Sequence, residues 1–88
     1  MSERDVLIVN PLGLHARPAA QIVRTASDFA SDIRLEKDGM EVNGKSIMGV
    51  MMLAAECGST IRIRASGTDE DAALDAICRL VADGFGES

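Results

Sequence analysis

The chain has 88 residues, with nine Lys and Arg against fourteen Asp and Glu, one His, two Cys, two Phe and no Trp or Tyr, for a formal net charge of -5. This length fits one domain over residues 1–88 with an aliphatic core, since a chain of this size buries only about 60–65% of its unfolded surface. The acidic balance excludes a nucleic-acid partner, which needs clustered Lys and Arg, and the longest apolar run, Ile47–Ala55, falls short of the ~20 residues of a membrane span.

The first residues, Met1-Ser2-Glu3-Arg4-Asp5, are charged, and Val6–Val9 is a β-branched run too short for a secretory core. A cytoplasmic protein follows as the expectation, and Val6–Val9 reads as a buried strand closed by Asn10-Pro11. From Ala16 the period changes: Ala19, Ile22, Val23, Ala26, Phe29 and Ala30 recur at three and four, which predicts an amphipathic helix over residues 16 to 28. Ile33 and Leu35 alternate with Arg34 and Glu36, and Asp38-Gly39 turns the chain into Met40-Glu41-Val42, a hairpin signal.

Ser46 is placed to cap a short helix, Ile47 to Glu56, with Cys57-Gly58 as its terminator. Ile61, Ile63 and Ala65 alternate with Arg62 and Arg64 as a last strand whose arginines face water. Thr68-Asp69-Glu70-Asp71 resembles a capping box, and Ala73, Ile77, Leu80 and Val81 form the stripe of a closing helix. The tail Gly84–Ser88 reads as frayed. The order β-α-β-β-α-β-α on a small chain predicts an α+β fold, a four-stranded antiparallel sheet with three helices on its apolar face. Cys57 and Cys78 have no metal-ligand spacing and one histidine cannot complete a zinc site, so no metal or cofactor is expected and both thiols are read as free, small hydrophobes.

The chemistry concentrates in Gly13-Leu14-His15-Ala16-Arg17-Pro18-Ala19-Ala20. The sole imidazole stands where a loop becomes a helix, at a position that Ser, Thr, Asp or Asn would ordinarily cap. Unpaired backbone N–H groups and the helix dipole make that end an anion site, and Arg17 adds a permanent cation with a planar fork of donors matched to phosphoryl oxygens. Pro18 fits the first helical turn, where its missing N–H costs little. Leu12 and Ala16 offer no hydrogen bond, which predicts a dry, apolar setting for the ring.

Together with Asn43-Gly44-Lys45-Ser46-Ile47-Met48-Gly49-Val50-Met51, this segment resembles the HPr family, the histidine-containing phosphocarriers of the bacterial phosphoenolpyruvate-dependent sugar phosphotransferase system. The resemblance covers almost the whole chain. It implies an open-faced β-sandwich with the first and last strands neighbours. It further implies a phosphocarrier without independent turnover, a cytoplasmic monomer not inserted in a membrane. Phosphorylated enzyme I donates to Nδ1 of His15, Arg17 stabilises the phosphoryl group, and EIIA-type proteins accept it. By the same resemblance Ile47, Met48 and Met51 belong to the partner-docking patch, and Ser46 is a phosphorylation site for an HPr kinase/phosphorylase, although local sequence alone makes it an ordinary N-cap.

Two other readings stand beside this one. The chain could be a regulatory protein-binding module of the same family, of nitrogen-branch or catabolite-control type, in which sugar transport is secondary. It could also be a small-molecule sensor on the same architecture, since fold alone does not fix function, although His15 disfavours that.

Overall fold

The computed structural model describes residues 1–87. Its elements run β1 (Ser2–Leu7), α1 (Ala16–Ser27), β2 (Asp32–Lys37), β3 (Met40–Asn43), α2 (Ile47–Met52), β4 (Thr60–Ser66) and α3 (Glu70–Ala82), followed by a 3-10 turn, Gly84–Gly86. The four strands form one antiparallel sheet in the order β1-β4-β2-β3, so the first and last strands are neighbours. The α+β open-faced sandwich anticipated from the pattern is the observed architecture.

Period-two alternation explains its two faces. Ile33 and Leu35 on β2, Val42 on β3 and Ile61, Ile63 and Ala65 on β4 are buried against Ala19, Ile22 and Ala26 of α1 and Ala73, Leu74, Ile77 and Val81 of α3. The open face carries ion pairs instead. Arg64 reaches Glu3, Glu36 and Glu41 at 2.7–2.9 Å from the centre of the sheet, and Arg62 meets Asp5 at 2.9 Å. These arginines are neutralised within their own sheet and form no basic stripe.

β1 departs from the expected Val6–Val9. It starts four residues earlier, ends at Leu7 and lies at a sheet edge; of the expected run Leu7 and Val9 are exposed, and Ile8, just beyond the strand, alone is fully buried. Its charged residues stay in the ladder because each has a partner across a face: Glu3 and Asp5 meet Arg64 and Arg62, and Arg4 meets Asp75 of α3 at 3.2 Å. Such partners are distant in sequence, so no local pattern reveals them.

α2 is also shorter than expected, ending at Met52 instead of Glu56. Ala54 takes a left-handed backbone conformation (φ +50°), which turns the chain out of the helix, and the Ala55 carbonyl then accepts the Leu14 N–H at 2.9 Å. Cys57 and Gly58 lie beyond the helix, in the turn that returns to β4. Cys57 is exposed and so is no core hydrophobe, whereas Cys78 is buried; both are free thiols.

At α3 the expected capping box, Thr68-Asp69-Glu70-Asp71, does not form: Asp69 is the N-cap residue and makes no side-chain cap. Glu70 Oε1 accepts the Gly67 N–H at 3.2 Å, whereas the Asp69 carboxylate leaves its own helix and accepts from Ala30 N–H (2.9 Å), Ser31 N–H (3.0 Å) and the Ser31 hydroxyl. These bonds, led by the Ser31 hydroxyl, hold the Asp69 carboxyl below the usual carboxylate range.

The expected fraying of the tail is overturned for its described residues. Gly84, Phe85 and Gly86 take φ values of +66°, +60° and +73°, and this left-handed turn drives the Phe85 ring into the core, where it is 4% exposed. Burial of one phenylalanine offsets the strain and fixes Glu87; Ser88 lies outside the described residues.

Candidate functional site

The loop between β1 and α1 is built around Gly13. Its φ is +65°, and an added Cβ would stand 2.4 Å from the Ala55 carbonyl oxygen, so both the turn and the close approach require glycine. Gly13 N–H bonds Asn10 O (3.1 Å) and Leu14 N–H bonds Ala55 O, and buried Leu14 anchors the loop in the core. His15 therefore begins α1 from a fixed loop.

His15 is the N-cap of α1, in extended conformation, and its side chain makes no capping bond. Its carbonyl accepts the Ala19 N–H at 3.0 Å, the first bond of the helix, and Pro18 has no N–H to offer. The Ala16 and Arg17 amides thus form the donor end of the helix, beside an imidazole that is 35% exposed. Arg17 is exposed and lines the same cleft of about 540 Å³, as do Leu12, Gln21 and Phe85. The two expected site residues are brought together.

The setting of the ring is not the dry, apolar one inferred from Leu12 and Ala16. Leu12 is 74% exposed at the rim, and His15 Nε2 lies 2.9 Å from Glu87 Oε2. Asn10, 2% exposed, donates its amide to Gly13 O at 2.8 Å and to Glu87 Oε1 at 3.0 Å. Both neighbours of that amide nitrogen are acceptors, which fixes its orientation. The Asn10 amide, then the His15 ring and the Arg17 charge, hold the Glu87 carboxyl below the usual range, against the opposing effect of burial. Glu87 and Asn10 are the residues that sequence reasoning misses; in the local pattern Asn10 marks only the end of a strand.

α2 presents a second surface. Val50 and Leu53 point into the core, whereas Ile47, Met48, Met51 and Met52 are exposed, as six residues in under two turns require. Ser46 caps this helix, its hydroxyl accepting the Gly49 N–H at 3.1 Å. α2 packs on α1, and its exit is tied to the residue before His15 through Ala55 and Leu14, so Met51 and Met52 lie toward the imidazole loop. Ser46 sits at the other end of the helix, a rise of about 9 Å away along its axis. Ser46 does not line the cleft that holds His15. Among the described residues no group of three or more acidic, cysteine or histidine side chains could hold a metal ion, and no helix is long and apolar enough to cross a membrane.

Residues 2–83 match the family model described as the PTS HPr component phosphorylation site. The phosphocarrier protein HPr of Cupriavidus necator is 48% identical over 87 residues, covering 99% of this chain and 98% of that protein. That of Treponema pallidum is 52% identical and covers 99% of each. Among solved structures, HPr-C-His from Thermoanaerobacter tengcongensis superposes with a TM-score of 0.96 at 48% identity, over 100% of this chain and 99% of that one.

Proposed function

The chain belongs to the HPr family, the phosphocarrier proteins of the phosphotransferase system, and from that premise we propose that His15 is the residue that carries the phosphoryl group. The observation that carries this reading is the placement of the only histidine at the open N-terminus of α1, with Arg17 in the same cleft. Phosphorylated enzyme I is the donor, with phosphoenolpyruvate as the ultimate source, and EIIA-type proteins are the acceptors. The Ala16 and Arg17 amides and the helix dipole favour the bound phosphoryl anion by about 0.3–1 kcal/mol at so exposed a site, and the Arg17 guanidinium adds charge-assisted hydrogen bonds. Weak retention suits a relay, because a strongly held group would not be passed on. The protein turns over no substrate alone and works in the cytoplasm as a monomeric domain.

Ile47, Met48 and Met51 form the docking patch, which runs along α2 from the Ser46 end toward the imidazole loop. Exposed methionines adapt to several partner surfaces, as a carrier serving a donor and several acceptors needs. Ser46, at the start of that patch, is the regulatory position for an HPr kinase/phosphorylase: a phosphate there adds charge to the docking surface at a helix end that tolerates anions.

The test is incubation with phosphoenolpyruvate and enzyme I, read by intact mass. One acid-labile, alkali-stable phosphate is expected, absent in His15→Ala; uptake that persists in that variant would remove His15 from the role.

A further inference from the structure

Beyond accepting the phosphoryl group, the imidazole must offer the correct nitrogen and then release it. We infer that Glu87 is a positioning residue for this transfer: its carboxylate holds the proton of His15 on Nε2, which leaves the Nδ1 lone pair as nucleophile and keeps the ring a neutral leaving group on the return. This inference rests on the reading of His15 as the phosphoryl carrier.

The geometry supplies each part. An ionised carboxylate can only accept, so the 2.9 Å contact of Glu87 Oε2 with Nε2 requires the proton to sit on Nε2. The carboxylate is itself oriented, since the Asn10 amide holds Oε1 at 3.0 Å and is fixed in turn by Gly13 O. Buried Phe85, two residues before Glu87, brings the tail back across the site. A buried amide, a strained turn and an aromatic anchor thus converge on one oxygen beside the ring.

The transfer balances without moving the Nε2 proton. The Nδ1 lone pair forms a bond to phosphorus as the bond from phosphorus to a nitrogen of the donor protein breaks, and that bonding pair returns to the donor nitrogen. The His15 ring, still protonated on Nε2, becomes a phosphorylated imidazolium whose positive charge faces the Glu87 carboxylate. When an acceptor attacks phosphorus, the Nδ1–P bonding pair returns to Nδ1 and the ring leaves as neutral imidazole. A ring that had lost its Nε2 proton would have to leave as imidazolate, a far poorer leaving group.

The test begins with the ring 15N spectrum of the unphosphorylated full-length protein at a pH where His15 is neutral. Nε2 is expected at a protonated, pyrrole-type frequency and Nδ1 at an unprotonated, pyridine-type one. Glu87→Ala should shift both toward a tautomer mixture and lower transfer from His15 to an EIIA-type acceptor about tenfold, the loss expected for one hydrogen bond to a charged group. Glu87→Gln offers one acceptor oxygen to two donors, the Asn10 amide and Nε2–H, and no charge to the imidazolium, so it should also shift the tautomer balance and slow transfer. A wild-type proton on Nδ1, a tautomer balance unmoved in Glu87→Ala, or a transfer rate within twofold of wild type in that variant would each overturn the inference. The spectrum needs no phosphate, so its outcome stands apart from the mass measurement that tests His15 as the carrier.

Discussion

The starts of α1 and α2 solve the same problem in opposite ways. Ser46 fills its helix end, with its hydroxyl on the Gly49 N–H, whereas His15 occupies the equivalent position of α1 and leaves that end without a side-chain cap. Every helix begins with amides that lack an internal partner. Where a serine satisfies one of them the result is stability, and where an imidazole stands aside the donors remain for an incoming anion. The difference lies in where each capping residue spends its side chain: α3 also lacks a side-chain cap, because Asp69 is tied to Ala30 and Ser31, whereas His15 turns its ring to Glu87 beside a cleft and leaves the donors of α1 facing it.

The largest expected effect comes from forcing α1 to resemble α2. His15→Ser should abolish phosphate uptake from phosphoenolpyruvate and enzyme I while changing stability by no more than about 0.5 kcal/mol, because the residue three on, whose N–H Ser46 uses in α2, is here Pro18, and the new hydroxyl has only the Arg17 N–H to cap. Urea denaturation beside intact mass gives both numbers; a larger loss of stability would show that the His15 ring contributes more to the fold than its single bond to Glu87 suggests.

Charging the filled cap should do the reverse, weakening partner binding while the fold holds. Ser46→Asp keeps a good N-cap, so its stability should stay within about 1 kcal/mol of wild type. A charge beside Ile47, Met48 and Met51 must be desolvated when a partner closes over it, and even ~1.4 kcal/mol of penalty is tenfold in affinity. Steady-state kinetics with enzyme I should show a raised apparent KM with little change in kcat; unaltered constants would take α2 out of the docking surface.

Arg17→Ala sharpens the comparison from the other side, because it leaves the open amides and removes only the cation. Transfer should slow several-fold in both directions, while the unfolding free energy changes by no more than about 0.5 kcal/mol, as for other exposed substitutions. Equal rates would assign the anion site to the backbone alone.

The smallest effect concerns the third cap. Asp69 spends its carboxylate on Ala30 and Ser31 across the molecule, and its lowered folded-state pKa means that its contribution is present above the ordinary carboxylate range and is lost as pH falls through the lowered value. Asp69→Asn should therefore be less stable than wild type near neutrality, with the gap narrowing on acidification. Urea midpoints between neutral and acid pH would test it; a gap that does not depend on pH would mean that the tie works without its charge.

Legibility followed the range of the interactions involved. α1, the β2–β3 hairpin, β4 and the Ser46 cap are written in periodicities and caps a few residues long, and all appear where the sequence indicates. β1 was misplaced because Glu3, Arg4 and Asp5 look like a solvated start until Arg64, Asp75 and Arg62 arrive from the far half of the chain. The end of α2 was misjudged because no pattern announces an alanine at positive φ. His15 and Arg17 were visible as an unusual pair at a helix boundary. Glu87 was not, since it lies 72 residues from His15 in sequence and follows a glycine-flanked phenylalanine that resembles a loose end.

Gly13 and Leu12 are adjacent, yet they place opposite demands on sequence change. Any side chain at position 13 would collide with the Ala55 carbonyl, whereas the Leu12 side chain stands 74% exposed at the mouth of the cleft. Drift at residue 12 can alter which partner surface is welcome without moving His15, while drift at residue 13 displaces the imidazole itself. Partner choice and phosphoryl chemistry can thus diverge independently in a lineage, separated by one peptide bond.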